Sequence, residues 1–202
     1  MPKTTLTYFD FSGSRGEECR LALFLAEVPF EDERLNRAQW ADRRASAPFG
    51  SLPILTVEGR PPLAQSNAIL TLIGRQHGLH PADEWEAARH LAILCAVEDL
   101  RTKMAPINRI ADPEEKKRAR EEVATGYLPD WGAAIERQIG DGPFVAGARI
   151  QVVDLKLFVA MTPFLAGKID HVPGDVWKAS PKLLALHEAV RQHPRVVAWT
   201  SR

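Results

Sequence analysis

The sequence predicts a small α/β unit followed by an all-helical domain. Two observations carry this. The first third of the 202-residue chain alternates short strand-like runs with helical ones, and beyond about residue 78 only helical periodicity remains. The length agrees, since 202 residues are enough for two small cores. The division predicted is residues 1–78 for the first domain, 79–84 for a linker and 85–202 for the second.

Each element follows from its pattern. "TLTYFDF" reads as a buried strand, with Leu6, Tyr8 and Asp10 on one face and Thr7, Phe9 and Phe11 on the other. "GEECRLALFLAEV" reads as a helix ended near Pro29, and "FEDERL" as a short edge strand. "LPILTVEG" is a β run opening on a proline, and "PPLAQS" is a second strand. In "SNAILTLIGRQHG", Ala68, Ile69, Leu72 and Ile73 form one helical stripe, with Gly78 just past the end.

The second domain is read the same way. "DEWEAARHLAILCAVEDL" carries Trp85, Ala88, Leu91, Ala92 and Cys95 at helical spacing. "DPEEKKRAREEVATGYLPDWGAAIERQI" is one charged amphipathic element with a solvated charged face. "VVDLKLFVAMTPFLAG" is apolar nearly all round, the mark of a helix in the middle of a core. "SPKLLALHEAVRQHP" starts with Ser180 as a cap and Pro181 in the first helical position.

Composition narrows the function. The 26 Lys and Arg residues balance 26 Asp and Glu residues, so no net field draws the chain to nucleic acid or to an anionic membrane. Cys19 and Cys95 lie far apart and form no CxxC pair, which speaks against a dithiol motif and a structural zinc; both are expected as reduced thiols in a cytoplasm, and no metal is expected. "MPKTTLTYF" lacks the pattern of a secretion signal, and no run reaches the roughly 18 apolar residues of a membrane span, so a cytoplasmic protein without membrane or nucleic-acid partners is expected.

Three stretches carry chemistry. In "FGSLPIL", Pro53 cannot donate to a sheet and holds Leu52 extended. An ordinary trans proline is the commoner case; a cis bond would turn the Leu52 backbone outward, free to pair with an extended peptide as an added strand. In "QSNAIL", Gln65 and Ser66 stand where a helix begins, which reads either as a plain cap or as a carboxylate site built from free amides and a hydroxyl. In "AQWADRR", the Trp40 indole with Arg43 and Arg44 suits a second carboxylate, surface charge being the commoner reading.

Together these features resemble the cytosolic glutathione transferases over nearly the whole chain: a thioredoxin-like N-terminal domain, a cis-proline loop, a Gln-Ser pair opening the third helix and a helical C-terminal domain. "LTYFDF" and "PFGSLPIL" most resemble the tyrosine-type branch, particularly the sigma class. The resemblance implies glutathione as co-substrate, conjugation to small hydrophobic electrophiles in detoxification, and reduction of organic hydroperoxides. Tyr8 matches the strand-end tyrosine whose hydroxyl hydrogen-bonds the glutathione sulfur; such a bond to the charged form lowers a thiol pKa and yields a thiolate. Leu52, beside Pro53, would pair with the cysteinyl backbone, Gln65 and Ser66 would hold the γ-glutamyl carboxylate, and Trp40 and Arg44 the glycyl carboxylate. Asp99, in "AVEDL", matches an acidic residue that approaches the γ-glutamyl amine bound by a neighbouring subunit, which implies a homodimer. Phe49 matches either a dimer contact or loop packing. The electrophile would lie against Phe9, Phe11, Arg101, Met104 and Ile107.

The chain departs from the sigma pattern in places. One extra residue between Tyr8 and Arg20 leaves Ser14 and Arg15 competing for the basic position near the sulfur, with Arg15 preferred. Ser51 replaces a longer side chain, and Gln151 stands where a Ser or Thr cap is usual, three residues before a structural Asp154. Ser12 and Ser14 form a serine-type alternative to Tyr8. Rival functions are a non-catalytic carrier or structural protein of the same fold, as in lens crystallins, and a glutathione-dependent isomerase.

Overall fold

The computed structural model describes residues 2–202; Met1, the first residue of the span assigned to the first domain, lies outside them. The N-terminal part runs β1 (Thr4–Phe9), α1 (Ser14–Leu25), β2 (Glu31–Leu35), α2 (Arg37–Arg43), β3 (Ile54–Val57), β4 (Leu63–Ala64) and α3 (Ser66–Gln76). The strands form one mixed sheet in the order β2-β1-β3-β4, with β1 parallel to β2 and antiparallel to β3, and β4 antiparallel to β3. β2 is therefore an edge, as the charged "FEDERL" predicts. β1 is interior and its C-terminal end carries Tyr8, in register with Arg34.

The rest is helical: α4 (Glu84–Arg109), α5 (Pro113–Thr125), α6 (Tyr127–Glu136), α7 (Val152–Leu165), α8 (Pro181–Gln192) and α9 (Pro194–Thr200). α7 is buried at every position from Val152 to Met161 and packs on α1, α4 and α8, so it is the central post its apolar sequence predicts. Asp154 anchors its start: the carboxylate accepts from Gln151 N at 2.7 Å and Val145 N at 2.8 Å, while the Gln151 side-chain oxygen finds no partner among the described residues. Burial pushes the Asp154 carboxyl up to about 7 against the pull of those donors.

Several expectations need correction. On α3 the buried stripe is Ser66, Ile69, Leu70, Ile73 and Gly74; Ala68 and Leu72 face outward. On α4 the difference is larger. Ala87, His90, Ile93, Leu94, Val97, Leu100, Met104 and Ile107 face the core, whereas the stripe read from the sequence, Trp85, Ala88, Leu91, Ala92 and Cys95, is exposed. Both faces are apolar at helical spacing, and periodicity alone cannot say which is covered. The single charged element is two helices, parted where Gly126 adopts φ −119°, ψ −86°. Ser180 makes no side-chain cap bond, although Pro181 does open α8. α2 and α9 were not anticipated.

Candidate active site

Tyr8 is set by the close approach of α1 to β1. Gly16 lies against its ring: a Cβ there would fall 2.1 Å from Cδ1 and 2.4 Å from Cγ, so only glycine lets the helix pass. Arg20, fully buried, donates to the carbonyls of Phe9 at 3.2 Å and Phe11 at 3.0 Å and to Asp32 Oδ1 at 2.9 Å, clamping the chain that leaves β1. Its guanidinium carbon lies 5.7 Å from the Tyr8 ring centroid.

The tyrosine opens on a cleft of about 1030 Å³ lined by Phe9, Phe11, Trp40 and Arg44 among others. Phe9 stacks on Phe11 at 6.4 Å and meets Trp40 edge-on at 6.2 Å, giving an aromatic wall. α2 carries Trp40, and its start is held by a reciprocal cap between Asn36 and Gln39 at 2.8 and 2.9 Å. Of the two arginines in "AQWADRR", Arg43 is committed to Glu33 at 2.6 Å, while Arg44 reaches Gly50 O at 3.3 Å and lines the cleft. Arg37 and Arg109 line it too, and neither was anticipated.

The Leu52–Pro53 bond is cis, and among the described residues Leu52 makes no backbone–backbone hydrogen bond. Gln65 holds a left-handed backbone, φ 73°, immediately before Ser66 opens α3. Ser66 is buried, and its Oγ accepts from Lys156 Nζ at 3.3 Å.

That lysine belongs to an ion-pair cluster joining α1, α4 and α7. Lys156, fully buried, donates to Glu18 Oε1 at 2.7 Å and to Glu98 Oε1 at 2.6 Å. Arg101 binds Glu18 Oε2 and Glu98 Oε1, both at 2.8 Å, and Arg15 binds Glu98 Oε2 through Nε at 2.8 Å and Nη2 at 2.6 Å. Burial pushes the Glu98 carboxyl up, but Lys156, Arg101 and Arg15 outweigh it and hold it at about 2. Burial works against the Arg101 charge as well, and Glu18 and Glu98 raise its pKa despite that.

The predicted residues therefore fall into groups. Tyr8, Phe9, Phe11, Trp40 and Arg44 share the cleft. Arg15, Ser14, Arg101 and Met104 line a separate pocket of about 290 Å³ under α7. Ile107 packs in the core and lines neither. Ser12 and Asp99 are exposed, and Phe49 stands 79% exposed with φ 54°. Cys19 is sealed in the core, where burial pushes its thiol well up, so it is no nucleophile. Among the described residues no three His, Cys, Asp or Glu side chains form a metal-holding group, and no helix is long and apolar enough to cross a membrane.

Sequence reasoning missed Glu18, Glu98 and Lys156. One signal was available: a lone lysine in "VVDLKLFVAM" must find buried anions if that helix is central.

Known proteins agree with this architecture. Residues 4–75 match the family model for the glutathione S-transferase N-terminal domain, and residues 98–202 the model for the C-terminal domain. The chain is 31% identical to hematopoietic prostaglandin D synthase of Gallus gallus, covering 100% of this chain and 97% of that protein. It is 32% identical to glutathione S-transferase 1 of Ascaris suum, covering 98% and 96%. The solved sigma class enzyme of Fasciola hepatica superposes with a TM-score of 0.84 at 28% identity, covering 99% of this chain and 96% of that one. With both domains matched in order around a thioredoxin-like sheet and a helical second half, the chain belongs to the glutathione S-transferase family and is a transferase.

Proposed function

We propose that this transferase binds glutathione, ionises its thiol against Tyr8 and conjugates it to small hydrophobic electrophiles. One observation carries the reading: the strand-end tyrosine, the Trp40 indole and the Arg44 guanidinium line a single cleft. In this reading Trp40 and Arg44 take the glycyl carboxylate, the unpaired Leu52 backbone takes the cysteinyl unit as an added strand, and Gln65 with Ser66 takes the γ-glutamyl carboxylate at the α3 N-terminus. The Tyr8 hydroxyl donates to the sulfur, favouring thiolate over thiol, and the thiol proton leaves to solvent. The sulfur lone pair forms the new S–C bond as the leaving group departs with its electron pair. Phe9 and Phe11 offer the electrophile an apolar wall, and Arg101 and Met104 line the second pocket. Arg15 acts at longer range, its guanidinium being held by Glu98. The cytoplasm is the proposed compartment.

A homodimer belongs to the same reading. The exposed apolar stripe of α4, Trp85, Ala88, Leu91, Ala92 and Cys95, is the surface a second copy would cover. Phe49 fits that role better than loop packing, since its side chain stands 79% exposed. Asp99, exposed on the same helix, would then face the partner's γ-glutamyl amine.

The test is turnover of a chlorodinitrobenzene-type substrate by the native protein and by Tyr8→Phe. Losing one hydrogen bond to a charged sulfur is expected to lower kcat/KM by about 10- to 100-fold, with glutathione affinity retained. Unchanged turnover with an intact thiolate absorbance would remove Tyr8 from its role. A second reading, a glutathione-dependent isomerase, rests on the avian relative's name, prostaglandin D synthase. The two separate on stoichiometry, because conjugation consumes glutathione and isomerisation returns it.

A further inference from the structure

We infer that Lys156 is a positioning residue for the carboxylate bound at the start of α3, acting through the Ser66 hydroxyl; this rests on the glutathione reading above. Apart from Asp154 at its start and Thr162 near its end, the helix that carries Lys156 is apolar, and the lysine side chain is fully buried. An ammonium has three protons, and here each has one acceptor: Glu18 Oε1 at 2.7 Å, Glu98 Oε1 at 2.6 Å and Ser66 Oγ at 3.3 Å. The two carboxylates have other cations, since Arg101 binds both and Arg15 binds Glu98. Among the described residues Ser66 Oγ has no other hydrogen-bond partner, and Ser66 is the first residue of α3.

The chemistry follows from the direction of that bond. A serine hydroxyl has one proton to donate and lone pairs to accept with. Lys156 fills the accepting side from within the protein, so the O–H proton is left to point away from the core. Ser66 thereby becomes an obligate donor toward a ligand at the helix start, aligned with the free amides there. Charge acts in the same sense. Lys156, Arg101 and Arg15 face Glu18 and Glu98, three cations against two carboxylates, so the cluster that reaches Ser66 carries one net positive charge. A carboxylate supplies the missing negative charge. The helical domain thus reaches across the chain, 90 residues in sequence, to set a binding group of the thioredoxin-like domain.

The test uses two ligands, glutathione and its analogue lacking the α-carboxylate, 4-aminobutanoyl-cysteinylglycine. Binding of each is measured by calorimetry on the native protein, on Lys156→Met combined with Glu18→Gln, which leaves the net charge of the cluster unchanged and removes the bond to Ser66, and on Lys156→Arg. The native protein is expected to prefer glutathione. The double variant is expected to lose about tenfold of that preference, the scale of one charge-assisted hydrogen bond, with affinity for the analogue unchanged. Lys156→Arg, which keeps the charge and a donor, is expected to recover part of it. A folded double variant with native preference, or one that weakens both ligands equally, overturns the inference while leaving the glutathione reading intact. A native protein that binds neither ligand overturns both. Should the double variant not fold, the native protein labelled with 15N-lysine decides. The buried Nζ resonance is expected to move with glutathione and not with the analogue, and equal movement with both overturns the inference.

Discussion

Tyr8 depends on a residue with no side chain. Because a Cβ on Gly16 would fall 2.1 Å from the Tyr8 ring, Gly16→Ala is expected to push the ring off its seat. Overpacking of this kind costs about 1–3 kcal/mol, so a lower unfolding midpoint together with a loss of conjugation comparable to Tyr8→Phe is expected. A variant with native activity would show that the ring position does not matter. The resemblance to the glutathione transferases pointed to Tyr8, Trp40 and Arg44, and the three line one cleft. The sequence did not point to Arg37 or Arg109, which stand in no motif that marks them and join the cleft only in the folded chain. Nor did it separate Arg43 from Arg44; their neighbours in space, Glu33 and Gly50, made that division.

α4 is the element where pattern and structure part most. Its two apolar faces share one period, and α7 and the core cover only the one that includes Ile93, Val97 and Leu100. The other face remains open, with Trp85 75% exposed and Leu91 42% exposed. Placing a charge in the middle of that stripe, Leu91→Glu, is expected to convert the proposed dimer to monomers while the monomer fold survives, because the position is exposed in the single chain. Sedimentation velocity checks this: a native protein that is monomeric would overturn the proposed dimer, and a dimer unaltered by the substitution would move the interface off this helix. α7 illustrates the opposite case. An almost wholly apolar helix has no alternative to burial, so its place was legible, as was the structural role of Asp154 at its start. α9 was not legible, since "PRVVAWTSR" is short. It is held by tertiary bonds to α1, among them Trp199 Nε1 to Glu17 at 2.6 Å and Arg195 to Phe24 O at 2.7 Å.

At the scale of the molecule the buried titratable groups set a pH limit. Burial lowers His90 and His187 from 6.5 to about 4, His80 adding to the effect on His90. Their folded pKa lies below the unfolded one, so the unfolded chain binds more protons between about pH 6.5 and 4, and stability falls as pH drops through that window. Glu98, held at about 2 against 4.5, adds a further loss below about pH 4.5. Asp154, raised to about 7, acts in the opposite direction but is one group against several. Urea midpoints from pH 8 to pH 4 are expected to decline from about 6.5 downward, with a shallower decline in His90→Phe; a flat profile would contradict the histidine assignment. The sequence by itself determined the two-part architecture and most of its strands and helices, but not α2, α9 or the break between α5 and α6, because periodicity, prolines and caps act over a few neighbouring positions. Only the tertiary structure decided which apolar face of α4 is covered and which arginines meet the tyrosine. It alone gathered Glu18, Glu98, Lys156 and Ser66 from four helices around one buried ammonium, because burial and charge pairing depend on distances in space that the chain order does not contain.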